Sequence, residues 1–235
     1  MKALTRSFLS FWGSSIGRKI VVALSGLLLL LYLPAHLAGN LLVFVGPEAL
    51  NEYAAFLHDF LHGAGIWLFR FVMLAAFVTH IALSIQLTRE NRSARAAYVR
   101  QAAVRTSLWS RTMIWSGLTI LAFVVYHVLH FTVRAGTGFN EEAYKTTLDG
   151  ERVHNVHKMM IDGFSSAPAS IAYIVGLTLL CSHLSHGFAS MFQTLGIRSD
   201  KTSAVIGKLG WLYALVIWLG FLSIPVSIWI FGYGR

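Results

Sequence analysis

A single cysteine, Cys181, stands in 235 residues. It excludes an intramolecular disulfide framework and any iron–sulfur cluster ligated by thiolates of this chain. Charge is scarce too: 12% of the residues are Asp, Glu, Lys or Arg, against the ~25% of an ordinary globular domain. So little charge excludes a soluble enzyme and a disordered chain. The sequence contains no glycine-rich phosphate loop and no GxGxxG following a strand, the patterns that would hold a nucleotide.

What the chain has instead is apolar mass, 56% of its residues, with a mean hydropathy of +0.63. It falls in five long runs, at 20–45, 66–88, 113–133, 169–192 and 209–231, whose one formally charged residue is Arg70. A bilayer core of ~30 Å is crossed by ~20 apolar helical residues. The pattern predicts an all-α integral membrane protein with five transmembrane helices and a single membrane domain.

The few charges then set topology. Lys2, Arg6, Arg18 and Lys19 precede the first run; Arg89, Arg92, Arg95, Arg100, Arg105 and Arg111 lie between the second and third; Arg198, Lys201 and Lys208 lie between the fourth and fifth. These make thirteen of the nineteen basic residues, opposed on that side by Glu90 and Asp200 alone. The positive-inside rule places this side, and the N-terminus, in the cytoplasm and the C-terminus outside. The net charge of +9 thereby reads as topology, not as nucleic-acid binding. The basic lead-in resembles a signal peptide, but its apolar run exceeds a 7–15-residue h-region. Trp67, Trp109, Trp211 and Tyr233 fall near the expected helix ends, where aromatic belts form.

Four of the five runs carry histidine: His36, His80, His127 with His130, and His183 with His186. An ionisable side chain inside a membrane is a functional candidate by default. With a rise of ~1.5 Å per residue, His36 and His127 lie roughly 24–26 Å from the cytoplasmic edge, and His80 and His183 roughly 14–15 Å. Each level thus has two histidines on two helices. Paired imidazoles in a helix bundle are a natural haem cradle, so the pattern predicts two stacked b-type haems in helices I–IV. His130 and His186, three residues further on and ~60° around their helices, are either alternative ligands or hydrogen-bonding partners of propionates. Ser25-Gly26 and Ser116-Gly117 stand ten residues before His36 and His127, closer to the inner level. Missing side chains there would admit a macrocycle close to the backbone; helix-packing glycines are the alternative, and the repeat at one spacing in two helices favours the haem reading. The pairs His58/His62 and His154/His157 read as interfacial or loop histidines.

HLAGN at 36–40, THIALS at 79–84 running into LTREN, Ser116-Gly117 with Tyr126-His127, and HLSHGFASMFQTLG at 183–196 together resemble the cytochrome b anchor of succinate dehydrogenases and fumarate reductases. The likeness is to the single-chain, five-helix, two-haem type and spans all four histidine-bearing runs. It implies that His36 and His127 ligate the outer haem and His80 and His183 the inner one. It selects His183 over His186 through Gly187 and Gly196, and His127 over His130 through the Ser-Gly spacing. Ser84 departs from the pattern, where relatives have glycine. The resemblance further implies an electron path between a cytoplasmic flavoprotein subunit, an iron–sulfur subunit and membrane quinone, menaquinone by expectation, in a bacterial cytoplasmic membrane. Arg18, Lys19 and Arg111 are then candidates for the inner haem's propionates. Arg70, roughly 28 Å deep, is a candidate for the outer one's, or snorkels to the surface. Glu52, His58 and Asp59 are candidate quinone-site proton donors or acceptors. Rival readings are the di-haem cytochrome b of a membrane hydrogenase or formate dehydrogenase, and a haem-free histidine-using transporter.

Overall fold

The computed structural model of the protein describes residues 11, 13–96 and 108–235, with side chains for all of these except 95, 96 and 108–112. Lys2, Arg6, Arg100 and Arg105, and the side chains of Arg95, Trp109 and Arg111, lie outside the described residues. Among the described residues seven α-helices follow one another: α1 (Ser15–Leu41), α2 (Pro47–Asp59), α3 (Ala64–Ala96), α4 (Leu108–His127), α5 (Val156–Ser165), α6 (Ala167–Thr194) and α7 (Ser203–Trp229). A 3-10 turn over Leu42–Phe44 ends α1, and a π turn over Val128–Val133 extends α4. By length and composition, α1, α3, α4, α6 and α7 each contain a segment that can cross a bilayer, the architecture of an all-helical multi-pass membrane protein.

The helices outrun the apolar runs where polar sequence still favours a helix. Ser14 caps α1, its hydroxyl accepting the Gly17 N–H at 2.9 Å, so the helix begins before Ile20. The third helix continues past Leu87 through Arg89, Glu90 and Arg92, residues good at helix formation that need not lie in lipid. One ion pair joins these extensions: Arg18 donates to Glu90 at 2.8 Å. It places the start of α1 beside the end of α3, so the two run antiparallel. We call this the basic end of the bundle; α2, α5 and the long third connection form the opposite, loop end.

The histidine-free α7 buttresses the others. Pro34 in α1 has no N–H to give the Leu30 carbonyl four residues back. The Tyr213 hydroxyl of α7 supplies that bond at 2.6 Å, as partners from neighbouring helices do for proline in membrane spans. A Cβ on Gly220 would come within 2.6 Å of Leu37, so α7 lies close against α1. Leu37, Leu177, Cys181, Ala214, Ile217 and Phe221 close this seam. Tyr213→Phe is expected to orphan the Leu30 carbonyl at a cost of ~1–3 kcal/mol, read as a lower unfolding midpoint in detergent.

The loop end is built rather than slack. Asp149 and Gly150, at φ 49° and 84°, make the two-residue turn of a hairpin pairing β1 (Lys145–Leu148) with β2 (Glu151–His154), Leu148 opposite Glu151. Asp-Gly with positive φ at both positions is the favoured tight hairpin turn. The fold therefore adds a small hairpin to its helices. Asn51 of α2, 3% exposed, donates to the Asn155 side chain at 3.2 Å and accepts the His157 N–H at 3.0 Å. Asn155 in turn caps α5 through the Lys158 N–H at 2.9 Å.

His154 links this hairpin to pH. Burial, then the charges of Arg134, Lys145 and His58, pushes His154 down to about 4. Above pH ~6.5 the imidazole is neutral whether the hairpin is folded or not. Between there and about 4 the unfolded segment takes up the proton first, so stability falls as pH falls. Hydrogen-exchange protection factors across 141–162, referred to the intrinsic rate at each pH, are expected to fall between pH 7 and about 4.5.

Candidate cofactor site

At the level nearer the basic end, two histidines stand against two Ser-Gly pairs. His80 Nδ1 is 3.1 Å from the Val22 carbonyl and 3.3 Å from Ser25 Oγ. A carbonyl only accepts, so the Nδ1 of His80 carries the proton and Nε2 keeps its lone pair. Across the bundle, His183 Nδ1 lies 3.0 Å from Ser116 Oγ. Ser116 spends its own hydroxyl proton on the Met113 carbonyl at 3.0 Å, so it accepts from His183 and leaves that Nε2 free as well. This is the pattern of ligating histidines, whose other ring nitrogen donates to a carbonyl or hydroxyl that fixes tautomer and orientation. His183 also interacts electrostatically with His80 and His186.

The same contacts change the reading of the glycines. A Cβ on Gly26 would lie 3.0 Å from His80 Cε1, and one on Gly117 would lie 3.7 Å from His183 Cε1. Each glycine faces an imidazole from another helix, tightly at Gly26 and at ordinary contact distance at Gly117. The Ser-Gly pair is a socket: serine accepts the ring N–H while glycine clears the ring face.

At the second level His36 and His127 meet directly, ring centres 5.8 Å apart and planes at 80°. Two imidazoles each ~2.0–2.1 Å from a shared metal have ring centres about 6 Å apart. His36 is flanked by Tyr32 (5.0 Å, stacked) and by Phe221 of α7 (5.6 Å). The Asn40 amide lies 3.3 Å from its Nδ1 and donates to its backbone carbonyl at 2.6 Å. His127 Nδ1 is 3.2 Å from the hydroxyl of Tyr173, and His130 Nδ1 is 3.2 Å from the same hydroxyl. That hydroxyl has one proton, so Tyr173 accepts from one histidine and donates to the other, and the two rings take opposite tautomers. The π turn that starts at Val128 breaks the regular ~100° per residue that separates the two on an α-helix. His130, 9% exposed and stacked on Tyr126, is thus a partner of the same hydroxyl as His127.

Sequence reading missed Tyr173, although its spacing carried a signal. Gly26, Arg70, Gly117 and Tyr173 each stand ten residues before a histidine, His36, His80, His127 and His183 respectively. Ten residues are ~15 Å of helix, enough to span the ~10 Å between the two levels. On α3 and α6, which run from the loop end, the residue ten before an inner histidine therefore reaches the outer level.

The donor set fits haem iron better than a hydrolytic metal. Among the described residues no group of three or more His, Cys, Asp or Glu comes together, whereas catalytic zinc sites use three protein ligands. Two imidazoles per level in an apolar bundle are a donor set that would suit haem iron.

The remaining candidates fall unevenly. The two terminal nitrogens of Arg18 donate to Glu90 and the Gly13 carbonyl, while its buried Nε has no partner; Lys19 is exposed, and the Arg111 side chain lies outside the described residues. Arg70 packs 5.0 Å from the Trp67 ring centre and lies within electrostatic range of His58. Glu52, His58 and Asp59 are exposed on α2. Burial, then Arg70 and Arg134, holds His58 below its usual value, opposed by Asp59. Two recesses lie apart from the histidines: a groove of about 710 Å³ beside Arg198, Lys208 and Trp211, and one of about 220 Å³ beside Pro34 and Val216. Compared with family models, curated proteins and solved structures, the chain has no match.

Proposed function

We propose that the chain is a di-haem cytochrome b anchor that carries electrons between a cytoplasmic flavin and iron–sulfur module and membrane quinone, as in succinate:quinone oxidoreductases. The observation that carries the haem reading is the inner level: two histidines from two helices, each with Nδ1–H spent on a helix acceptor and Nε2 left to bind. The outer level repeats the pairing with His36 and His127. The succinate assignment rests on the resemblance of the four histidine segments and on the lone cysteine, which leaves flavin and iron–sulfur chemistry to partner subunits. The basic end, taken as cytoplasmic under the positive-inside rule, offers those partners Arg89, Arg92, Arg198 and Lys201. The setting is a bacterial cytoplasmic membrane, and menaquinone is the favoured acceptor or donor.

Haem bound at the two levels supplies one-electron transfer across the bilayer. This chain's residues do the rest. Ser25, Val22 and Ser116 hold the inner imidazoles in one tautomer, Tyr173 and Phe221 confine the outer pair, and α7 seals the bundle from lipid. Quinone chemistry also needs a proton carrier at a redox centre, and Glu52, His58 and Asp59 stand at the loop end for that role. Replacing the one that serves quinone by its amide or by Gln is expected to abolish quinone turnover with both haems still counted; loss of a haem would refute the assignment.

The purified chain tests the proposal through a reduced-minus-oxidised spectrum and a haem count of two. A haem-free spectrum would favour a transporter. Co-purification with a flavoprotein active on succinate or fumarate distinguishes this anchor from the cytochrome b of a hydrogenase or formate dehydrogenase.

A further inference from the structure

At the loop end, Arg70 and Arg134 have no ion pair among the described residues. Arg134 follows the π turn directly, at φ 61°, its backbone N–H bonded to the Leu129 carbonyl. Its side-chain Nε is buried without a hydrogen-bond partner. The same holds for Nδ1 of His154, whose Nε2 lies 3.3 Å from the Met159 sulfur. Helix α2 packs on both α3 and β2, which brings the start of α3, with Arg70, to the hairpin end that carries His154. The charges act on one another: Arg134 senses Arg70, and His154 senses Arg134, Lys145 and His58. Ion pairs among the described residues join Arg18 to Glu90, Arg152 to Glu142 and Lys158 to Asp162. None involves Arg70 or Arg134, and the nearby acid Asp59 acts on His58.

Two guanidinium groups within electrostatic range of one another, one of them with a buried, unanswered Nε, are unfavourable unless an anion lies between them. Arginine forks are also the side chains best shaped to hold a carboxylate or phosphate by two parallel bonds. We infer that Arg70, Arg134 and His154 form a binding site for an oxyanion, a carboxylate or a phosphate, at the loop end of α3 and α4. Arg70 and Arg134 provide the charge, and the unpartnered Arg134 Nε and His154 Nδ1 provide directed contacts. Two sources offer that chemistry here. One is a haem propionate at the His36–His127 level, which rests on the proposed function. The other is the phosphate of an anionic phospholipid, since Arg134 ends a span at Val133 and exposed Trp67 marks the boundary.

The test compares the full-length wild-type chain with Arg134→Gln, Arg70→Gln and the charge-keeping Arg134→Lys. Haem count and optical redox titration form one arm. The other counts phosphatidylglycerol retained after transfer into phosphatidylcholine nanodiscs doped with phosphatidylglycerol. A propionate ligand lowers the midpoint potential or occupancy of the His36–His127 haem in both Gln variants, with the second haem unmoved and Arg134→Lys close to wild type. A phosphate ligand instead cuts retained phosphatidylglycerol several-fold in both Gln variants, with Arg134→Lys again close to wild type. Gln variants that match wild type in both arms overturn the site. A wild type without haem refutes the di-haem reading alone, and the lipid arm still decides this one.

Discussion

His80→Ala and His183→Ala are each expected to remove the same haem, and His36→Ala and His127→Ala the other. Every single variant should retain about half of the reduced-minus-oxidised absorbance of the parent, and the double variants His80→Ala/His183→Ala and His36→Ala/His127→Ala no less than either single one. The grouping follows from geometry as well as depth. His36 and His127 are in ring contact, while His80 and His183 occupy matched Ser-Gly sockets on α1 and α4. The grouping cuts across chain order and across nearest neighbours on each helix, so chance does not readily reproduce it. Loss of one haem from His130→Ala with His127→Ala unaffected would exchange those two roles. Either can accept from or donate to Tyr173, so Tyr173→Phe should shift the same haem that His127 or His130 ligates. Any cross-grouping of the four primary variants refutes the two-level arrangement.

The levels were legible in the sequence because they depend on two quantities a sequence carries well: where an apolar run begins and how many residues follow at ~1.5 Å each. Rotation about each helix axis was not legible. Spans that are apolar all round have little periodic signal to say which face meets which neighbour. That is why Ser25 was found by its spacing but not as the partner of His80, and why Tyr173 went unseen. The ion-pair partner of Arg18 was hidden for a related reason. The place of Arg18 at the inner edge suited a propionate, and the extension of α3 beyond the apolar run brings Glu90 to it at 2.8 Å, a pairing between residues 72 positions apart. The hairpin, by contrast, is signalled by Asp149-Gly150, a pair suited to a tight turn with positive φ at both positions. Pro34 and Tyr213 sit in separate apolar runs, and nothing in either run says that a hydroxyl on one completes the backbone of the other.

The second large effect concerns Gly26, a residue on the helix that bears His36. If glycine there simply eased the packing of its own helix, enlarging it would disturb the His36 level first. The structure points elsewhere: a Cβ at Gly26 meets the His80 ring at 3.0 Å from Cε1 and 3.3 Å from Nδ1. Contacts that tight force the imidazole to give by a few tenths of an ångström, away from Ser25 and the Val22 carbonyl that fix its tautomer. Gly26→Ala is therefore expected to weaken the inner haem, on the order of the 10–100-fold loss that follows disruption of a ligand's supporting contacts. Gly26→Leu, which adds overpacking of ~1–3 kcal/mol, should abolish it. The outer haem should remain in both. Gly117→Ala serves as the internal comparison, because its Cβ would stand 3.7 Å from His183, an ordinary contact, and it should bind both haems normally. The order Gly117→Ala above Gly26→Ala above Gly26→Leu in inner-haem occupancy is the result to look for. Loss of the outer haem from either Gly26 variant, with the inner one intact, would show that the Ser-Gly pair of α1 serves its own helix's histidine and not the one across from it.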